Sequence, residues 1–358
     1  MRSRLNLGVI GLGRMGRVYA AALAQRVPNA QLVAVADLKP GIAESFAREF
    51  GIRKWLENYQ DLLKDRSVDA VAVVTPTSTH REVVIDAARG GKAIFCEKPI
   101  SISLAEAEEM LQVVDSSRVF LQMGFQRRFD AGYIGAKKKI EEGVIGEPVL
   151  LLSTSRDPFL PPLDFCNPRV SGGLIMDMGI HDFDVARMYM GEVRTVHAVG
   201  GVLAYPELKS VGDIDNAVIN LVFENATIGA VHLSRNAVFG YDIRAEIWGT
   251  KGSLQVGYHR QTPMLVLTRQ GITHDVVPHF MERFEGAYLA QIQNFVDNVL
   301  QGRPPSITGA DAVAALRLSI AATTSLHEQR PVDVREVEAA HDGSVSSPQG
   351  RRGPASSA

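Results

Sequence analysis

Apolar residues fall into two rhythms along this chain. In the first third, short continuous apolar runs alternate with stretches whose apolar residues recur every three or four positions. The runs Leu5–Ile10, Leu32–Ala36, Ala70–Val74, Ala93–Cys96 and Val119–Met123 predict buried strands. Between them, Val18–Arg26, Gly41–Phe50, Tyr59–Lys64, Thr79–Arg89 and Leu104–Asp115 predict helices, the last opened by a capping box of Ser103 and Glu106. Strands alternating with helices predict a doubly wound parallel sheet.

From residue 125 the pattern changes. A helix is expected over Tyr133–Glu142 and a strand over Val149–Ser155, then an irregular loop marked by Pro158, Pro161, Pro162 and Pro168. A period of two then governs Val193–Leu203, Ala217–Phe223, Thr227–Arg235, Ile243–Gly249 and Ser253–Gly257, with turns at Glu224-Asn225 and Thr250-Lys251-Gly252. Consecutive strands joined by short turns predict a large, mostly antiparallel sheet. Two helices follow, Ala287–Leu300, with Asn294, Asp297 and Asn298 on a polar face, and one from Thr308 and Asp311 to Glu328. The expected division is an α/β domain over 1–124, a second α/β domain with an open-faced sheet over 125–335, and a disordered Ser/Pro/Gly/Arg tail over 336–358.

A length of 358 residues accommodates two cores, and a formal net charge of −2 gives no electrostatic footprint for nucleic acid or an anionic membrane. No segment has the length of a membrane span. The run Leu5–Ile10 is too short for a signal peptide and leads into a glycine loop. Two cysteines, Cys96 and Cys166, make no disulfide framework, so a cytoplasmic protein is expected.

That glycine loop, Gly11-Leu12-Gly13-Arg14-Met15-Gly16, lies between a predicted strand and a predicted helix. There Gly11 permits a tight turn, Gly13 lets the backbone approach a pyrophosphate, and Gly16 lets helix and strand pack closely. Asp37 ends the second strand at the position of a ribose-binding acid, which favours NAD over NADP, although Lys39 stands nearby. Thr75, Pro76 and His80 follow the third strand at the ligand-binding edge of such a sheet; His80 is equally compatible with a helix start that makes no cofactor contact. Glu97-Lys98-Pro99 follows the fourth strand, and Lys98 is placed either to enter the cleft or to stand exposed before a helix. The expected cofactor contacts are Gly11 to Gly16, Asp37, Thr75, Pro76, His80 and Glu97.

In the second half, Ser171 to Asp184 carries Asp177, His181 and Asp184 at i, i+4 and i+7, one face if the segment is a single helix. A carboxylate one turn from an imidazole can orient the ring or bind substrate while the imidazole takes a proton. A solvated surface pair is the plain alternative. Metal is not expected, because no Cys or second His lies at ligand spacing.

Four motifs together give the chain a resemblance: the glycine loop, Val-Val-Thr-Pro-Thr-Ser-Thr-His at 73–80, Phe-Cys-Glu-Lys-Pro-Ile at 95–100, and Met-Asp-Met-Gly-Ile-His-Asp-Phe-Asp at 176–184. Up to residue 335 the chain resembles the glucose–fructose oxidoreductase/inositol dehydrogenase (Gfo/Idh/MocA) family. The segments at 124–130 and 239–249 look most like its inositol dehydrogenase members, although Phe239 stands where many of those carry tyrosine. The resemblance implies a Rossmann domain, an α/β domain whose sheet makes oligomer contacts, and a homotetramer. It implies Lys98, Asp177 and His181 as the catalytic set, and a substrate pocket completed by Arg127, Asp157 and Tyr241. The expected reaction is NAD-dependent oxidation of a cyclitol secondary alcohol, myo-inositol to its 2-keto form, with scyllo-inositol or a pyranose as the alternative. A non-enzymatic NAD-binding sensor would have no need for Lys98, Asp177 and His181 together.

Overall fold

The computed structural model describes residues 3–341. The first half runs β1 (Leu5–Ile10), α1 (Arg14–Gln25), β2 (Ala30–Ala36), α2 (Ile42–Phe50), β3 (Lys54–Leu56), α3 (Tyr59–Lys64), β4 (Ala70–Val73), α4 (His80–Arg89), β5 (Ala93–Glu97), α5 (Leu104–Ser117) and β6 (Leu121–Gly124). These strands pair in parallel in the order β3-β2-β1-β4-β5-β6. That is the doubly wound dinucleotide order, whose chain reversal between β1 and β4 opens a crevice at the carboxyl ends of the strands. The edge strand β3 is a finding; three residues, two of them exposed, leave no readable apolar run.

The second half begins with α6 (Ala131–Glu141), capped by the Asp130 carboxylate on the N–H groups of Gly132 and Tyr133. It continues with β7 (Pro148–Arg156), α7 (Leu163–Cys166), α8 (Pro168–Ser171), α9 (Gly173–Asp177), α10 (Gly179–Met190), β8 (Val193–Gly201), β9 (Asn216–Phe223), β10 (Ile228–Ser234), β11 (Asp242–Gly249) and β12 (Ser253–Val256). The small hairpin β13 (Val266–Thr268) and β14 (Gly271–Thr273) precedes α11 (Phe280–Gln301), α12 (Gly309–Glu328), β15 (Val332–Asp333) and α13 (Val334–His341). The sheet order is β12-β11-β7-β10-β9-β8-β15. It is antiparallel except where β7 and β10 run side by side in parallel. Parallel neighbours need a long crossover, and the segment from α7 to β9 supplies it. Helix α13 covers the first positions of the segment expected as a tail; the rest of that segment, 342–358, lies outside the described residues.

One face of this sheet is buried under α10 and α12, with Leu151, Ile219, Leu221, Val231, Leu233 and Ile247 in the core. Its other face is open: Leu152, Val199, Val218, Ile228 and Trp248 are exposed. Among the described residues no helix is long and apolar enough to cross a membrane.

The two halves are not separate bodies. Helix α11 lies against α1, β1 and β5 of the first sheet, and Phe295 packs fully buried between Phe95 and Phe120. Burial of each such ring stabilises by roughly 1.5–3 kcal/mol. The polar face expected on this helix is partly inward: Asn298 is buried and donates to Gln122 on β6 and to Ser306. A polar side chain there is satisfied by a distant partner, which a helical period does not reveal.

Candidate active site

The glycine loop joins β1 to α1. Gly11 adopts φ +90°, and a Cβ on it would stand 2.7 Å from the Val74 carbonyl oxygen; on Gly16 it would stand 1.9 Å from the Gly11 oxygen. A Cβ on Gly13 would meet nothing within 4 Å. The turn is therefore tight where it touches protein and open where a pyrophosphate would approach. Helix α1 begins on Gly13 with no side-chain cap, so its first N–H groups are available to an anion. Leu12 N–H and Lys39 N–H donate to the Asp37 carboxylate at 2.8 and 2.9 Å, which fixes this acid beside the loop. The donor set and the space fit a dinucleotide. Exposed Arg14 lies over the Phe280 ring, 4.7 Å from its centroid, while Met15 packs against the core.

Two expected cofactor contacts have their side-chain polar atoms engaged by the protein itself. The His80 ring is buried, with Nδ1 2.9 Å from the Pro99 oxygen and Nε2 2.9 Å from the Thr75 oxygen. It braces the two loops after β4 and β5, since each ring nitrogen meets a carbonyl of one of them. Thr75 and Pro76 stand at the loop itself, tied to Thr79 Oγ1 by hydrogen bonds of 2.8 Å. Glu97 is buried: the Tyr19 hydroxyl donates to one carboxylate oxygen and the Lys98 N–H to the other at 3.0 Å. Gln291 of α11 donates to the Tyr19 oxygen in turn. Burial pushes the Glu97 carboxyl up from its ordinary value against the pull of Tyr19 and Lys98. These bonds tie the strand end that carries Lys98 to α1 and α11.

Lys98 projects into the second half. Its Nζ donates to the Asp177 carbonyl oxygen at 2.9 Å and to Oδ1 of the same residue at 3.3 Å. The 171–184 segment is not one helix. It breaks at Met178, so Asp177 ends α9 and His181 lies in the first turn of α10. Asp184 faces away: it is buried and holds Arg128 through both carboxylate oxygens. The single-face expectation for Asp177, His181 and Asp184 is corrected: Asp177 meets Lys98, whereas Asp184 is taken up by Arg128.

The half-buried His181 ring meets the edge of Phe125 at 6.1 Å between centroids, and its buried Nδ1 has no hydrogen-bond partner among the described residues. Burial first, then the Lys98 and Arg127 cations, hold the imidazole well below the ordinary histidine value. It is therefore a neutral proton acceptor at neutral pH.

Arg127 is buried on the floor of the cleft, with Nη1 2.8 Å from Asp182 Oδ1 and Nη2 2.9 Å from Ser155 Oγ. Ser153 and Ser155 also donate to Asp182, at 2.5 and 2.6 Å. Asp157, just past β7, is pushed up to about 6 by burial and by Asp177, against Arg235, Lys98 and Arg127. Tyr241 is buried beside His279 and Phe284, and burial followed by Asp157 holds its phenol well above the ordinary value. The structure thus gathers Lys98, Asp177, His181, Arg127, Asp157 and Tyr241 where the carboxyl edge of the first sheet meets the second domain.

Arg235, Asp213, Ser153 and Asp182 around this cluster are not among the sequence-predicted residues. One signal was available: Val231, Leu233 and Arg235 share the inward parity of their strand, and a cation at an inward position is conspicuous.

Comparison with known proteins gives a consistent result. The description "Oxidoreductase family, NAD-binding Rossmann fold" matches residues 5–125, and "Oxidoreductase family, C-terminal alpha/beta domain" matches residues 137–334. The chain is 40% identical to a scyllo-inositol 2-dehydrogenase (NAD(+)) of Bacillus subtilis, over 96% of this chain and all of that one. It is 41% identical to a myo-inositol 2-dehydrogenase of Thermotoga maritima, over 93% and 99% of the two chains. The crystal structure of scyllo-inositol dehydrogenase from Lactobacillus casei with bound cofactor NAD(H) and scyllo-inositol superposes with a TM-score of 0.89 at 32% identity, covering 93% and 99%.

Proposed function

The chain belongs to the Gfo/Idh/MocA oxidoreductase family, and on that premise we propose that it oxidises myo-inositol with NAD to the 2-keto product. It is an NAD-dependent dehydrogenase acting on a CH–OH group of an inositol. The observation that carries the assignment of roles is the convergence of Lys98 from the first half with Asp177 and His181 from the second.

NAD would be held by the Gly11–Gly16 loop and Asp37 and would supply the hydride acceptor. The chain's own residues handle the proton and the geometry. His181, neutral and poorly solvated, takes the hydroxyl proton of the reacting carbinol. Lys98 donates to the same oxygen and stabilises the negative charge that develops as the proton leaves. Asp177 and Asp157 accept hydrogen bonds from neighbouring ring hydroxyls and fix which carbinol faces the base. Arg127, held by its ion pair with Asp182, adds to Lys98 in keeping His181 neutral, and Tyr241 lines the pocket beside Asp157. The proton leaves the hydroxyl oxygen, the hydride leaves the carbinol carbon, and a ketone results.

The open apolar face of the second sheet supports a homotetramer packed through it, since apolar patches of this kind mark interfaces. The two cysteines are free and buried, which supports a cytoplasmic site of action.

A spectrophotometric screen of cyclitols and sugars with NAD and NADP tests the reading. The expected result is highest kcat/KM for myo-inositol with NAD. Preference for scyllo-inositol is the second reading, favoured by the Bacillus subtilis relative. No cyclitol turnover with NAD would contradict both.

A further inference from the structure

Arg235, directly after β10, heads the largest fully buried side chains, and its exposure is 0%. Its Nη2 lies 3.6 Å from Asp177 Oδ2 and 3.6 Å from Asp213 Oδ2, both longer than a hydrogen bond. Nη1 donates to Cys166 Sγ at 3.5 Å, and Nε and Nη2 have no hydrogen-bond partner among the described residues. A buried guanidinium that leaves donors unused is a poor device for stability, because well-packed apolar residues would do as well or better. Its surroundings suggest another purpose. Asp177 is flanked from two sides: Oδ1 faces Lys98 of the first half, and Oδ2 faces Arg235 of the second. Asp213 accepts the Leu174 N–H at 2.9 Å and so anchors the start of α9, the helix that ends in Asp177.

We propose that Arg235 is a positioning residue for the dehydrogenase reaction, holding the Asp177 carboxylate in line with Lys98 and supplying the positive charge that lets Asp157 stand beside it as a second carboxylate. The inference rests on the catalytic set proposed above. Three carboxylates meet here: Asp177 from α9 and Asp213 from the loop before β9, each 3.6 Å from Arg235 Nη2, and Asp157 just past β7. The Asp157 N–H donates to the Ser234 carbonyl at 2.8 Å and its carbonyl accepts from the Ala237 N–H at 3.0 Å, on either side of Arg235. Lys98 and Arg127 face Asp157 from the loop after β5 and the turn before α6, and Tyr241 faces it from the start of β11. Asp157 is already pushed up to about 6, and among the cations opposing that rise Arg235 acts most strongly. Without Arg235, Asp157 would hold its proton to higher pH and the pocket would lose a hydroxyl acceptor near neutrality.

The test uses the full chain with Arg235→Met, Arg235→Lys and Asp213→Asn. The last retains an acceptor for the Leu174 N–H while removing a negative charge from Arg235. Steady-state kcat and KM for the inositol, NAD affinity by calorimetry, thermal melting and the pH profile of kcat/KM are measured for each. Arg235→Met is expected to lose on the order of 10²-fold in kcat/KM, keep its NAD affinity, and shift the acid limb upward by about one unit. Arg235→Lys should recover part of both, and Asp213→Asn should move the limb downward. Losses in activity, NAD affinity and melting that run in proportion, with an unmoved acid limb, would overturn the proposal. Should Arg235→Met not fold, an unmoved limb in Asp213→Asn would overturn it equally. An inactive wild type would sink the reading of the whole site, whereas an active wild type with unmoved limbs would remove only Arg235.

Discussion

Lys98 and Asp177 meet across the two halves of the chain, the lysine Nζ 2.9 Å from the aspartate's carbonyl oxygen and 3.3 Å from its carboxylate. The cation is thereby aimed at one point while remaining a donor with capacity to spare, since an ammonium carries three hydrogens. Lys98→Met should lower kcat by roughly 10²–10³-fold, the usual cost of removing a donor to a developing oxyanion. Activity should not return at high pH, because hydroxide cannot replace a cation. Rate against pH checks this, and alkaline recovery would assign Lys98 the base role instead.

Asp37 is the residue proposed to set cofactor choice. Its carboxylate is held by the Leu12 and Lys39 N–H groups, so it presents fixed negative charge where a 2′-phosphate would sit. NAD should be strongly preferred, and Asp37→Ser should weaken NAD and improve NADP. The ratio of the two kcat/KM values is the measurement; equal wild-type efficiency with both cofactors would show that Lys39 outweighs the acid.

Much of this architecture was legible because it is local. Continuous apolar runs and period-two alternation separate the parallel sheet from the second sheet, and the backbone demands at Gly11 and Gly16 are met by glycine alone. What was illegible is set by distant partners. The break at Met178 is marked in the sequence only by the adjacent Gly179, and the apolar period runs through it unchanged. The central place of β7 depends on a crossover that closes only in three dimensions. His80 and Glu97 stand in cofactor-loop motifs, yet their polar atoms are claimed by Thr75, Pro99, Tyr19 and the Lys98 backbone. Motif position gives a residue's neighbourhood; the direction of its side chain comes from packing.

The open sheet face makes its own prediction. Leu152, Ala230, Glu246 and Asn220 form one row across β7, β10, β11 and β9, with Trp248 and Ile228 in the next row. Leu152→Asp together with Val218→Asp should convert the expected tetramer into smaller species, since charge in an interface core is costly unless paired. Light scattering at micromolar concentration reads this. A wild-type monomer would contradict the interface.

The most direct test of the account is turnover by His181→Ala across pH, with NAD affinity measured on the same preparation. The imidazole is held well below its ordinary value by burial, Lys98 and Arg127, so wild type retains its base through the neutral range. Removing it should lower kcat by roughly 10²–10⁴-fold, leave NAD affinity nearly unchanged, and allow partial recovery at high pH as hydroxide substitutes. Near wild-type turnover by His181→Ala with an inositol and NAD would contradict the mechanism.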